Sequence, residues 1–457
     1  MPLVSYADTV DYQEQAKERK ALPIDSNNIK GWPEGPEISA MSAVLMDVTT
    51  GTILYAKNIH EELYPASTTK IMTCLLAVEN ASLDDKIVFS NDAVFSVPND
   101  GSNIGMDVGQ SITLEQALYG IMVGSANEVA NAVAEHVAGS IPAFINMMND
   151  RAKELGCTHS HFVNANGLFN EDHYTSAHDL ALIASAFFSN ELLSSIGNTA
   201  RYHFTPTATQ PDDFYLNNKH KLITGEISYP GIVGGKTGYT DLARETLVTC
   251  AERDGMKLVC VVFMEESPDQ FHDTVSLFDY GFNNFHPVKV ADNETRYMPN
   301  DSLFFESEND VFGESGNILN LDENATVIIP KTAEITDTDY SISYDITEKE
   351  KEENPSAIAR ITYTYSGAFV GQALVGYEPK LTAASADQSL TKTIYINVKH
   401  LFLIALIFVV LLTITGIIVT RALANRKLVS KHDRLRYSRR KRESRKNRSL
   451  FKIKKRK

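Results

Sequence analysis

Tyr64-Pro65-Ala66-Ser67-Thr68-Thr69-Lys70-Ile71-Met72-Thr73 is the stretch on which the reading of the fold turns. It reads as a serine opening a helix that runs to about Asn80, with a lysine one turn further on. A spacing of three sets both side chains on one helical face. A neutral lysine in that position can take the serine's proton. The pattern is weak by itself, since Ser-x-x-Lys recurs at Ser389–Lys392, Ser438–Lys441 and Ser449–Lys452. The surrounding chain has to single one of them out.

Upstream of the serine, 40–48 and 52–57 read as two strands joined by a turn at Thr49-Thr50-Gly51. Downstream come helical patterns at 114–122, 129–137, 141–155 and 179–190. Two further strands, 244–250 and 256–264, flank Arg253-Asp254-Gly255, and a helix over 268–282 follows. Strands, then many helices, then strands predict an α+β fold with one antiparallel sheet flanked by helices. From about Pro287 the helical period vanishes and β-branched, alternating runs take over, which predicts a small β-rich domain.

The chain has 457 residues and a net charge of -15, with 43 Lys/Arg against 58 Asp/Glu. The charge is unevenly placed. From Arg421 to Lys457 there are 18 Lys/Arg against Asp433 and Glu443 only. Directly before that tail lies Leu401–Thr420, LFLIALIFVVLLTITGIIVT, without a charge. At helical rise it is about 30 Å long, the thickness of a bilayer core. It is expected to be a single membrane span, with the basic tail cytoplasmic and residues 1–400 outside. Nucleic acid is the rival partner for such a tail, but a basic run against a span suits anionic headgroups better. The four cysteines are scattered and read as buried thiols, and no Cys/His cluster has metal-site spacing. The divisions expected are 1–36, a signal-peptide remnant and polar leader; 37–286, the main domain; 287–380, the β-rich domain; 381–400, a linker; 401–420, the span; and 421–457, the tail.

Three short motifs stand in one order: Ser67-x-x-Lys70, Ser125-x-Asn127 and Lys236-Thr237-Gly238. Each alone has a bland reading, the serines as helix caps and Lys236 as a solvated strand-end charge. Together they form the set seen in penicillin-binding proteins and serine β-lactamases. Over roughly 35–285 the chain resembles the low-molecular-mass penicillin-binding proteins that are D-alanyl-D-alanine carboxypeptidases. The likeness extends to Pro65-Ala66-Ser67, Asn166-Gly167-Leu168, His173-Tyr174, Ala177-x-Asp179-Leu180 and Gly235-Lys236-Thr237-Gly238-Tyr239-Thr240.

The resemblance implies a β-lactamase/transpeptidase-like domain, a C-terminal β domain and a membrane anchor, with no cofactor or metal. It implies Ser67 as nucleophile, Lys70 as base and Ser125 as proton relay. Asn127, Lys236, Thr237, Gly238 and Tyr239 would bind substrate, the backbone N–H groups of Ser67 and Tyr239 forming the oxyanion hole. The implied partners are peptidoglycan stem peptides, with β-lactams as inhibitors. Ser-Ala-Asn in the second motif and the lack of a suitably spaced glutamate favour a carboxypeptidase over a β-lactamase. An endopeptidase on the same scaffold and a non-catalytic cell-wall scaffold are the alternatives. The sequence says nothing of the oligomeric state.

Overall fold

The structure, a computed structural model, describes residues 11–98, 101–296, 319–377, 412–421 and 434–442. The expected signal-peptide remnant over 1–10, the linker, residues 401–411 of the expected span and most of the tail lie outside the described residues.

The chain runs α1 (Tyr12–Lys20), β1 (Ser42–Asp47), β2 (Ile53–Lys57), α2 (Lys70–Asn80), β3 (Lys86–Val88), α3 (Asn91–Phe95), β4 (Ser111–Thr113), α4 (Leu114–Met122), α5 (Asn127–Ala138) and α6 (Ile141–Glu154). It continues through α7 (Ala177–Ser189), α8 (Glu191–Gly197), β5 (Arg201–Phe204), β6 (Phe214–Asn217), α9 (Lys221–Thr224), β7 (Ile232–Thr240), β8 (Arg244–Arg253), β9 (Met256–Glu265) and α10 (Asp269–Asn284). An antiparallel sheet in the order β2-β1-β9-β8-β7 forms the spine. The α+β arrangement expected from the sequence is the one observed.

Helices cover both faces of this sheet, and the strand period of two sorts its side chains between two cores. Val44 and Met46 of β1, with Val259, Val261 and Phe263 of β9, face the core shared with α2, α5 and α7. Ala43 and Leu45, with Leu258, Cys260 and Val262, face the core shared with α10. Strands buried on both sides need near-continuous apolar runs, which is what 42–46 and 258–263 supply. Residues 70–77 of α2 are all buried. A helix apolar all round belongs inside its layer, and α2 sits among α4, α5, α6 and α7. Ser67 precedes it in a 3₁₀ turn over Ala66–Thr69, not in the helix itself. All four cysteines are buried free thiols.

The segment expected to be a polar leader is folded from residue 11 onward. Asp11 caps α1 by accepting from the Gln13 and Glu14 N–H groups. Trp32 is buried, and its Nε1–H donates to the Leu54 carbonyl at 2.8 Å. The buried Lys57 Nζ donates to the carbonyls of Arg19 and Ile38, both at 2.8 Å. A few anchors thus pin a stretch whose remaining surface is polar, which is why its composition reads as linker.

Beyond α10 the chain forms β10 (Phe285–Lys289), α11 (Val290–Asn293), β11 (Leu319–Leu321), β12 (Thr326–Pro330), β13 (Asp339–Ser343), α12 (Glu348–Glu353), β14 (Ala357–Tyr365) and β15 (Ala368–Tyr377). The second sheet has the order β10-β12-β15-β14-β13, with β11 also on β15. Val327, Ile329, Tyr363 and Val370 join the α10-side core, where Trp32 meets Phe285 with ring centroids 4.9 Å apart.

The chain divides into two compact units, 1–302 with 319–378, and 303–318 with 379–457. In the second, only 412–421 and 434–442 are described, both helical. Among the described residues no single helix is long and apolar enough to cross a membrane.

Candidate active site

The 3₁₀ turn that carries Ser67 is held from four directions. Ala66 is left-handed, with φ +50°. Such a conformation is uncommon outside glycine and persists only where the surroundings fix it. Thr246 Oγ1 on β8 donates to the Pro65 carbonyl at 3.0 Å, as does Thr68 Oγ1 at 2.6 Å. Gly238 lies opposite Thr246 in the β7–β8 register. A Cβ at 238 would fall 2.3 Å from Thr246 Oγ1 and 3.0 Å from the Ser67 N. Gly238 therefore lets β7 close onto the nucleophile turn. On the far side Gly167, with φ +84°, passes so near that a Cβ would sit 1.8 Å from the Ala66 carbonyl oxygen. The fourth hold is His173. The Val163 N–H donates to its Nδ1 at 3.1 Å, so the ring proton is on Nε2, facing Thr69 Oγ1 at 2.8 Å. Burial takes this imidazole down to about 3, which keeps it neutral.

Lys70 opens α2 with its Nζ inside the protein. Nζ lies 3.0 Å from Ser67 Oγ and 2.6 Å from Asn127 Oδ1, and also donates to the Asn166 carbonyl. Burial first, then the neighbouring Lys236 charge, push its pKa well below the ordinary lysine value. These three partners accommodate the neutral amine as well as the ammonium. The two carbonyl oxygens can only accept, and a neutral amine has two N–H bonds to give them. Its lone pair is then left for the one neighbour that can donate, the Ser67 hydroxyl. Asn166 is itself tied back, its Nδ2 donating to Asn131 Oδ1 at 3.0 Å.

Ser125, in the left-handed region at φ +57°, precedes α5. Lys236 Nζ on β7 donates to Ser125 Oγ at 3.1 Å and to the Thr237 carbonyl at 2.9 Å. Burial pushes the Lys236 pKa down to about 7, with Lys219 adding to the effect. Neither serine caps a helix: no side-chain cap stands before α2 or α5. Lys236 is 3% exposed, which also removes the solvated-charge reading.

Ser67, Ser125, Asn127, Thr237, Gly238 and Tyr239 line one cavity of about 560 Å³, with Lys70 and Lys236 buried behind it. The structure therefore brings all eight sequence-predicted residues together. Sequence reasoning missed roles for Gly167, His173, Asn166 and Thr246. Asn166-Gly167 and His173 were visible as motif residues, but nothing local told what they touch.

A sequence pattern described as D-alanyl-D-alanine carboxypeptidase matches residues 30–267, just over half of the chain. The chain belongs to the D-alanyl-D-alanine carboxypeptidase family. Among its relatives is D-alanyl-D-alanine carboxypeptidase DacF of Bacillus subtilis, 36% identical over 257 residues. That match covers 54% of this chain and 64% of the relative, so the chain spans less than two thirds of that relative's length. The D-alanyl-D-alanine carboxypeptidase of Streptomyces K15 is 32% identical over 258 residues, 54% of this chain and 88% of the relative. The crystal structure of the Streptomyces K15 DD-transpeptidase superposes with TM-score 0.51 at 30% identity, covering 55% of this chain and all of that one. Penicillin-binding protein 6B of Escherichia coli shares the fold at TM-score 0.56 and 23% identity, over 76% of this chain and 98% of its own. The family's transpeptidase-like fold thus carries the site just described.

Proposed function

We propose that the chain is a serine-type D-Ala-D-Ala carboxypeptidase that removes the terminal D-alanine of peptidoglycan stem peptides through an acyl-enzyme on Ser67. The observation that supports this most is the buried Lys70 Nζ lying 3.0 Å from Ser67 Oγ, with the Asn127 and Asn166 carbonyls as its other partners.

In this reading Ser67 Oγ gives its proton to Lys70 Nζ and attacks the carbonyl between the two D-alanines. The oxyanion is met by the N–H groups of Ser67 and Tyr239, donors fixed before the reaction begins. The C–N bond breaks as the leaving nitrogen takes a proton relayed through Ser125, and D-alanine departs. Asn127 bonds the peptide amide, while Lys236 and Thr237 hold the terminal carboxylate. Water then attacks the ester, Lys70 again accepts the proton, and Ser67 is released with the shortened peptide. β-Lactams acylate the same oxygen, but their leaving group stays tethered to the acyl chain, so deacylation is slow. The uncharged run at 401–420 anchors the protein, and its basic tail lies on the cytoplasmic face.

Turnover tests the reading. D-Alanine release from diacetyl-Lys-D-Ala-D-Ala is expected to be catalytic. Benzylpenicillin is expected to be consumed at about one equivalent per protein and then only slowly. Penicillin hydrolysis faster than peptide hydrolysis would contradict it and favour a β-lactamase.

A further inference from the structure

We infer that the N-terminal helix α1 is a positioning element for one wall of the substrate cavity, acting through Arg244 and Glu266. This rests on the cavity having the proposed function, but the helix that does the positioning lies outside the family match, which begins at residue 30.

The wall in question is the end of the β7–β8 hairpin, where Tyr239, Thr240, Asp241 and Glu245 line the cavity, together with Ser267 just beyond β9. Arg244 and Glu266 are the chain neighbours of the last two. They join these segments through a bidentate pair, Nε to Oε1 at 3.1 Å and Nη2 to Oε2 at 2.6 Å. Two parallel N–H···O bonds fix orientation as well as distance. Arg244 also donates from Nη1 to Tyr239 Oη at 3.4 Å, and that hydroxyl donates to Asp241 Oδ1 at 3.1 Å. The Arg244 backbone is left-handed, φ +54°, at a point where β8–β9 pairing slips register between Glu245 and Leu247. A non-glycine residue persists in that conformation only where its surroundings fix it.

α1 supplies the anchor from outside. The Tyr12 ring lies against the Arg244 guanidinium, 3.8 Å from centroid to Cζ. At the end of the helix, next to its last residue, Arg19 is buried. Its Nη2 reaches Glu266 Oε1 at 3.5 Å and its Nε donates to the Ser39 carbonyl at 3.0 Å. Lys57 holds the Arg19 carbonyl in turn. Glu266 thus takes two guanidinium groups, one from α1 and one from the wall, and Tyr12 closes the far side of the second. None of these α1 side chains touches the cavity, so they act on substrate only by fixing Tyr239–Glu245. A cation over a tyrosine face at a partly exposed site is a modest interaction. Its loss should loosen the wall without touching Ser67 or Lys70.

Tyr12 is 40% exposed, so Tyr12→Ala leaves no core cavity. For diacetyl-Lys-D-Ala-D-Ala, Tyr12→Ala is expected to raise KM about two- to fivefold while kcat stays within about twofold. Tyr12→Phe keeps the ring and should match wild type. In the unliganded full chain, amide hydrogen exchange over 239–245 should be faster in Tyr12→Ala. That arm needs no turnover, so it decides the inference even where the proposed activity fails. Unchanged exchange at 239–245 would overturn the inference, as would a KM shift that Tyr12→Phe shows equally.

Discussion

Lys70→Met is expected to lower kcat/KM on a D-Ala-D-Ala peptide by about 10³- to 10⁴-fold, within the range for loss of a positioned general base. Acylation by benzylpenicillin should slow by a similar factor, because both substrates need the same oxygen deprotonated. The physical case is the burial of Lys70. Burial and the second lysine beside it push the Lys70 pKa well below the ordinary value, which favours the neutral amine, and its Nζ lies 3.0 Å from the Ser67 hydroxyl. Methionine has a similar length and fills the space, so the fold persists. The Asn127 and Asn166 carbonyls lose their donor, each at a cost of about 1–3 kcal/mol. Circular dichroism with stopped-flow acylation separates the two effects. A folded Lys70→Met protein that acylates at the wild-type rate would remove Lys70 from the chemistry.

Gly167→Ala carries the second large effect. Its Cβ would lie 1.8 Å from the Ala66 carbonyl oxygen, on backbone that cannot rotate away, and its φ is +84°. The collision pushes on the residue before Ser67, so the turn must shift or the 164–168 loop must open. A displacement near 1 Å at a reacting group costs about 10²-fold in rate. Strain and repacking together are expected to take about 2–4 kcal/mol from stability. Gly51→Ala is the matched control. It has φ +74° but nothing within 4 Å, and it lies in the β1–β2 turn away from the cavity. It should cost about 1 kcal/mol and leave acylation unchanged. Thermal unfolding and the penicillin acylation rate read both variants. Equal acylation in Gly167→Ala and Gly51→Ala would show that Gly167 does not hold the nucleophile turn.

These two residues also mark how far the sequence could be read. The spine was legible because β1, β8 and β9 must be apolar on both faces, and runs such as 258–263 cannot hide that. The three motifs were legible because each puts its chemistry within four residues. What holds the motifs in register was not legible. His173 meets Thr69 across 104 residues, and Thr246 meets Pro65 across 181. Such contacts arise from packing, and no local period or spacing encodes them. Gly167 could be read as a turn residue, but its fit against Ala66 needs both segments in place. α1 was misread for the opposite reason. The segment it opens is polar on its surface, so composition suggested a leader, while Arg19 in the helix and Trp32 beyond it fasten the segment to the domain.

The proposed mechanism stands on Ser67 being the acylated nucleophile of this site. Intact-mass spectrometry after brief exposure to benzylpenicillin tests it directly. Wild type should gain the mass of one penicillin, and Ser67→Ala should gain none. An adduct on both proteins, or on neither while both are folded, would contradict the account.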